Sequence, residues 1–109
     1  MVTFINVFEM HSEHMDAFIK QWRERAAMMS TKPGFLDSRL HQALSPDARF
    51  QVVNVSHWDS ADALQAATAD PEFQRRIRAV TDDVEKPVSS HVALYKVVVD
   101  FSRPIPDRQ

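Results

Sequence analysis

The chain opens on an alternating pattern. In Val2-Thr3-Phe4-Ile5-Asn6-Val7-Phe8-Glu9-Met10, β-branched and aromatic side chains dominate, the composition of a strand. A period of two places Val2, Phe4, Asn6, Phe8 and Met10 on one face. The period then lengthens. Met15, Phe18, Ile19, Trp22, Ala26 and Met29 recur at helical spacing and predict one amphipathic helix from Ser12 to Ser30. Ser12 reads as its N-cap, Glu13 and Asp16 complement its dipole, and Lys32-Pro33-Gly34 ends it.

A second strand is expected from Gly34 to Ala43. Strict alternation puts Phe35, Asp37, Arg39 and His41 on one face and Leu36, Ser38, Leu40 and Gln42 on the other. Ser45-Pro46-Asp47-Ala48 reads as a turn into a third strand, Phe50 to Trp58. There Val52, Asn54, Ser56 and Trp58 share a face, with Val53, Val55 and His57 opposite. His57 is expected to pack towards the helices. Asp59 or Ser60 caps a short helix running to Thr68, and Asp70-Pro71 opens another with Phe73, Ile77 and Val80 as its apolar stripe. Thr81 to Ser90 is a polar connection, and the last strand is expected from His91 to Phe101 around Val97-Val98-Val99.

The order is β-α-β-β-α-β, the split βαβ pattern of an α+β, ferredoxin-like fold with an antiparallel four-stranded sheet. Residues 1–101 are expected to form one domain and 102–109 a C-terminal tail. Helices on one face leave the other uncovered, yet the strands carry apolar residues on both. Two sheets paired face to face would bury that second face, so a homodimer, a dimeric α+β barrel, is expected.

Composition narrows the function. A net charge of −2 argues against a nucleic-acid partner. The absence of cysteine removes disulfides and thiolate chemistry and suits a cytoplasmic setting. No apolar run approaches the roughly 20 residues that span a bilayer, so no membrane partner is expected. No secretory signal is evident either. With Gly34 as the sole glycine, a glycine-rich phosphate loop is excluded. His11 and His14 lack a third ligand, so no metal is expected.

A few polar residues remain as candidates. Asn6 interrupts an apolar strand, where its carboxamide must find partners, from neighbouring backbone or from a ligand. Asn54 and Trp58 point to one face about 13 Å apart, at roughly 3.3 Å per residue. Together they could grip a flat polycyclic molecule by its oxygens, although each also reads as an ordinary core residue. His41 could exchange a proton near neutral pH. Arg75, Arg76 and Arg78 crowd one helical turn, mostly as a solvated face, with one of them able to reach a phenolate.

Phe4-Ile5-Asn6-Val7-Phe8, the turn Lys32-Pro33-Gly34-Phe35-Leu36 and the stretch Val52 to Ser60 together resemble the antibiotic-biosynthesis monooxygenase family over about residues 2–101. The resemblance is greatest to its cofactor-independent enzymes that oxidise anthrone-like polyketides to quinones. It implies catalytic roles for Asn6, Asn54 and Trp58, and substrate contacts for His41, Arg76, Phe4 and Phe8. It further implies an aromatic polyketide and O2 as partners and no cofactor. Leu64 stands where a tyrosine is expected. Ala67 and Arg76 stand where the haem-degrading branch carries a tryptophan and an axial histidine, which disfavours haem cleavage. A haem protein and a non-catalytic small-molecule binding module are the alternatives.

Overall fold

The computed structural model describes residues 1–81 and 88–103. Strand β1 (Val2–Glu9) leads through a 3-10 turn (Ser12–His14) into helix α1 (Met15–Met29). Strands β2 (Phe35–Gln42) and β3 (Val52–Trp58) follow, then helices α2 (Ala61–Thr68) and α3 (Pro71–Thr81), and strand β4 (Ser89–Tyr95). The strands form one antiparallel sheet in the order β2-β3-β1-β4, the expected α+β ferredoxin-like arrangement. Among the described residues no helix is long and apolar enough to cross a membrane.

Local chemistry sets the helix starts. The Ser60 hydroxyl accepts the Ala63 N–H at 3.1 Å and caps α2. Asp70 Oδ1 accepts the N–H groups of Glu72 and Phe73 at 2.9 and 3.1 Å and caps α3. Lys32 Nζ lies 2.7 Å from Asp70 Oδ2. That ammonium, and after it the Phe73 N–H, hold the Asp70 carboxyl below its ordinary value of 3.8. Ser12 behaves differently from expectation. It falls inside the 3-10 turn, and α1 begins at Met15 without a side-chain cap. The buried stripe of α1 holds it instead: Met15, Phe18, Arg25 and Met29.

Two core clusters lie between the helices and the sheet. One joins Phe8, Met15, Phe18 and Val52; the other joins Met29, Trp58, Leu64 and Ala67. The turn that feeds β2 is built on Gly34, whose φ of 87° favours glycine. Its carbonyl accepts the Asp59 N–H at 2.8 Å, which docks the start of α2 against the turn. A Cβ on Gly34 would sit 2.5 Å from the Ala63 Cβ.

Three strand expectations need correction. A bulge between Phe35 and Asp37 breaks the alternation of β2. Phe35 therefore pairs with Trp58 on the helix side, Leu36 is exposed, and Asp37, Arg39 and His41 stay on the open face. His57 also faces the open side, because Trp58 and Asn54 are buried beneath the helices. Finally, β4 is Ser89–Tyr95 rather than a strand to Phe101. Thr3 pairs with Tyr95, so β1 runs out of residues just where Val97-Val98-Val99 would need a partner. These valines and Phe101 are exposed. The connection expected from Thr81 to Ser90 lies largely outside the described residues.

Gly34→Ala should destabilise the domain by about 2 kcal/mol, from a strained φ and an overpacked contact together. Thermal melts of Gly34→Ala, Ala63→Gly and the double variant check this: the double variant should recover the contact part and keep the backbone part.

Candidate active site

Register decides what meets. β1 pairs with β3 so that Asn6 lies directly opposite Asn54, which puts the two carboxamides side by side on the helix-facing surface. Above them is a cavity of about 240 Å³. Phe4, Phe8, Phe35 and Trp58 from the sheet line it, together with Trp22 and Met29 from α1, and Leu64 and Phe73 from α2 and α3. Val92 and Gln74, both exposed, mark its mouth. An apolar cavity of roughly 150 Å³ holds one benzene ring, so this one has room for more than a single ring. A second hollow of about 320 Å³ at the α1–β2 edge holds neither asparagine.

The polar groups in this wall are few and aimed. Ser38 Oγ donates to Asn54 Oδ1 at 2.9 Å. With its oxygen engaged by Ser38, what the Asn54 carboxamide has to offer a ligand in the cavity is its two N–H donors. Trp58 is 2% exposed, and the edge of its ring system meets Phe35 with centroids 5.3 Å apart. Asn6 Oδ1 and Arg25 Nη1 are buried atoms without a hydrogen-bond partner among the described residues. Both residues line the cavity. Arg25 is the single ionisable side chain among the described residues lining it. Burial, and after it the positive charge of Arg76, lower the Arg25 pKa from its ordinary value.

The structure thus brings together Asn6, Asn54, Trp58, Phe4 and Phe8 around one space. It separates two others from them. His41 projects from the open face, exposed, with Nδ1 3.3 Å from the Val53 carbonyl oxygen, because the bulge leaves it on the side opposite Asn54. Arg76 is turned along α3, where Nε donates to Glu72 at 3.0 Å and Nη1 lies 3.3 Å from Glu24. Neither lines the cavity. His57 pairs with Asp37 across the open face at 2.6 Å. That bond, and the charges of His57 and Arg39, outweigh a small burial cost and hold the Asp37 carboxyl below its ordinary value.

Sequence reading passed over Ser38 and Arg25. Ser38 needed the β2–β3 register to be seen as a diagonal neighbour of Asn54. Arg25 did leave a signal. It follows Trp22 by three residues and precedes Met29 by four, which puts a charge on the apolar stripe of α1.

The model of one family, antibiotic biosynthesis monooxygenase, matches residues 1–79. The chain belongs to the antibiotic biosynthesis monooxygenase family. Solved structures agree. SnoaB, a cofactor-independent oxygenase from Streptomyces nogalater, shares 25% identity and a TM-score of 0.78, over 94% of this chain and 97% of its own. A candidate monooxygenase from Shewanella loihica PV-4 shares 27% identity and a TM-score of 0.71, over 91% and 95%. A family member from Deinococcus radiodurans, at 16% identity and a TM-score of 0.76 over 95% and 99%, shows the shared fold alone. No curated protein is significantly similar to the chain.

In this family member, Ser38→Ala should cost about 1 kcal/mol by removing a buried hydrogen bond. It should also free the Asn54 carboxamide to turn. Denaturant melts and the side-chain amide resonances of Asn54 in a nitrogen–proton NMR spectrum check this; unchanged resonances would mean that Ser38 does not orient Asn54.

Proposed function

We propose that the chain is a cofactor-independent monooxygenase that uses O2 to oxidise an aromatic polyketide-like substrate, of anthrone or hydroquinone type, to a quinone. The observation that carries this reading is the convergence of Asn6, Asn54 and Trp58 on one ring-sized, mostly apolar cavity. The likeness to SnoaB supports the absence of a cofactor in the reaction.

The chemistry follows from the reluctance of triplet oxygen to react with closed-shell molecules. An anthrone or hydroquinone becomes electron-rich once it loses a proton. The Asn54 amide N–H groups and the Trp58 indole N–H then face the oxygen on which negative charge collects, as preorganised donors. Phe4, Phe8, Phe35 and Phe73 enclose the rings and keep bulk water from the intermediate. The carbanion passes one electron to O2, giving an organic radical and superoxide. These combine into a C–O bond, and the protonated peroxide loses water to leave the new carbonyl. On an anthrone the reacting CH2 gives up both hydrogens, so one oxygen atom of O2 enters the product and the other leaves as water; a hydroquinone follows the same course only where a ring C–H is the carbon oxidised.

Haem binding is a weaker reading, because Ala67 and Arg76 occupy the positions where the haem-degrading branch has its tryptophan and histidine. A binding module without turnover would share the cavity but consume no oxygen.

We further propose that a second copy of the chain covers the open sheet face. Ile5, Val7, Val53 and Val55 make that face apolar at its centre, and exposed Val97, Val98, Val99 and Phe101 extend past β4 as a ready contact for another molecule. Among the described residues neither edge of the sheet is paired within one chain.

Metal-free, colourless protein should consume O2 with an anthrone or naphthacenone substrate. Asn54→Ala should lower kcat about 100- to 1,000-fold, and Trp58→Phe should also lower it, with the fold intact by circular dichroism. Oxygen uptake that needs added flavin, haem or metal would reject the reading. In sedimentation velocity the wild type should run at twice its chain mass, and Val98→Asp combined with Phe101→Ser should run at the single mass.

A further inference from the structure

The least explained group in the molecule is a cation. Arg25 sits on the buried stripe of α1, 6% exposed, with its guanidinium carbon 5.8 Å from the centroid of the Phe18 ring. Phe18 in turn packs edge-on against Phe8 at 4.9 Å. The guanidinium is therefore held from one side by an aromatic pair of which Phe8 lines the cavity. Among the described residues no carboxylate pairs with it. Its Nη1 lacks a hydrogen-bond partner among the described residues, and the nearby charge of Arg76 is of the same sign. Glu24, the adjacent acid, is turned to Arg76 instead. A buried, unpaired arginine is costly, and its natural complement is an anion that arrives from outside.

The cavity wall strengthens the point. Among the described residues that line it there is no carboxylate, histidine, lysine or tyrosine, so no side chain there is a general base. A substrate activated by losing a proton must then be acidified by its surroundings. A guanidinium does this, because it stabilises the charged oxygen and leaves the neutral hydroxyl almost unaffected. Asn6 Oδ1, buried and unpaired, needs a donor, which a second hydroxyl on the same ring system supplies.

We propose that Arg25 is the counter-ion that selects the ionised form of a phenolic substrate and holds its oxygen charge against the cavity wall. This rests on the monooxygenase reading above and narrows it: the substrate is a polycyclic phenol bound as the phenolate, with a second hydroxyl directed at Asn6. Arg25 acts as a catalytic residue by stabilising this anion, while Asn54 and Trp58 serve the charge that develops later.

The test uses 2-hydroxyanthraquinone, whose phenolate absorbs at longer wavelength than its phenol. Both tryptophans, Trp22 and Trp58, line the cavity, so binding is read independently by quenching of their fluorescence. In the wild type the bound probe should ionise at least about one pH unit lower than the free probe, a ten-fold preference for the anion. Arg25→Met and Arg25→Gln should abolish that shift while the neutral phenol still quenches. Because an unpaired buried charge is removed, Arg25→Met should melt no lower than the wild type. A bound probe that titrates like the free one, or variants that keep the shift, would overturn the role of Arg25 and leave the oxidase reading standing. A variant that loses stability without changing the titration would make Arg25 a structural residue. No quenching by either form would overturn the ring-binding cavity itself, and both readings with it.

Discussion

Everything distinctive in this domain depends on the register between β1 and β3. It sets Asn6 against Asn54, while on the other edge of β1 the Thr3–Tyr95 pairing sets where β4 must stop. A slip of one residue would send Asn6 to the open face and bring Ile5 or Val7 under the helices. The result would be an ordinary apolar interior with nothing polar to offer a ligand. The register is held by the two core clusters at the ends of the strand pair, through Phe8 and Val52 at one end and Trp58 with Val2 at the other. Between them, the middle of the sheet is free to carry amides.

That arrangement sets stability against chemistry. A cavity in the core forgoes dispersion contacts. The orphaned oxygen of Asn6 and the unpaired Nη1 of Arg25 add desolvation penalties that no bond from the described residues offsets. Proteins concentrate such violations at functional sites, and here both fall on the same wall. The surroundings over-determine them: capped starts for α2 and α3, the Asp70–Lys32 pair, and a turn that only glycine fits against Ala63. The asymmetry between the two asparagines follows the same logic. Asn54 is oriented by Ser38, which suits a donor whose direction matters, whereas Asn6 keeps an acceptor in reserve.

Much of the site was legible as parity. Phe4, Asn6 and Phe8 alternate along one strand, and Asn54 and Trp58 along another, so each set had to share a face. The cavity between them was not legible, because it depends on how far α1 and α3 stand from the sheet. His41 shows how local reasoning fails. Strict alternation ties it to Phe35, a core residue, but the bulge after Phe35 breaks that link and leaves His41 outside. His57 was misassigned for a related reason: a face cannot be identified until the helices are known to cover it. Arg76 looked like a ligand for substrate, yet Glu72 and Glu24 already engage it.

Taken alone, the order of the residues determined the element sequence, the breaks at Pro33-Gly34 and Asp70-Pro71, and which side chains travel together along each strand. These are short-range properties, written in periods of two and 3.6 residues and in capping chemistry. Tertiary structure decided the rest: which face of each strand lies under the helices, where β4 loses its partner, how Ser38 reaches Asn54, and that Arg25 is buried with no opposite charge beside it among the described residues. Each depends on pairing between segments far apart in the chain, where a single bulge reverses a face and only the assembled core shows which polar atoms remain unmatched.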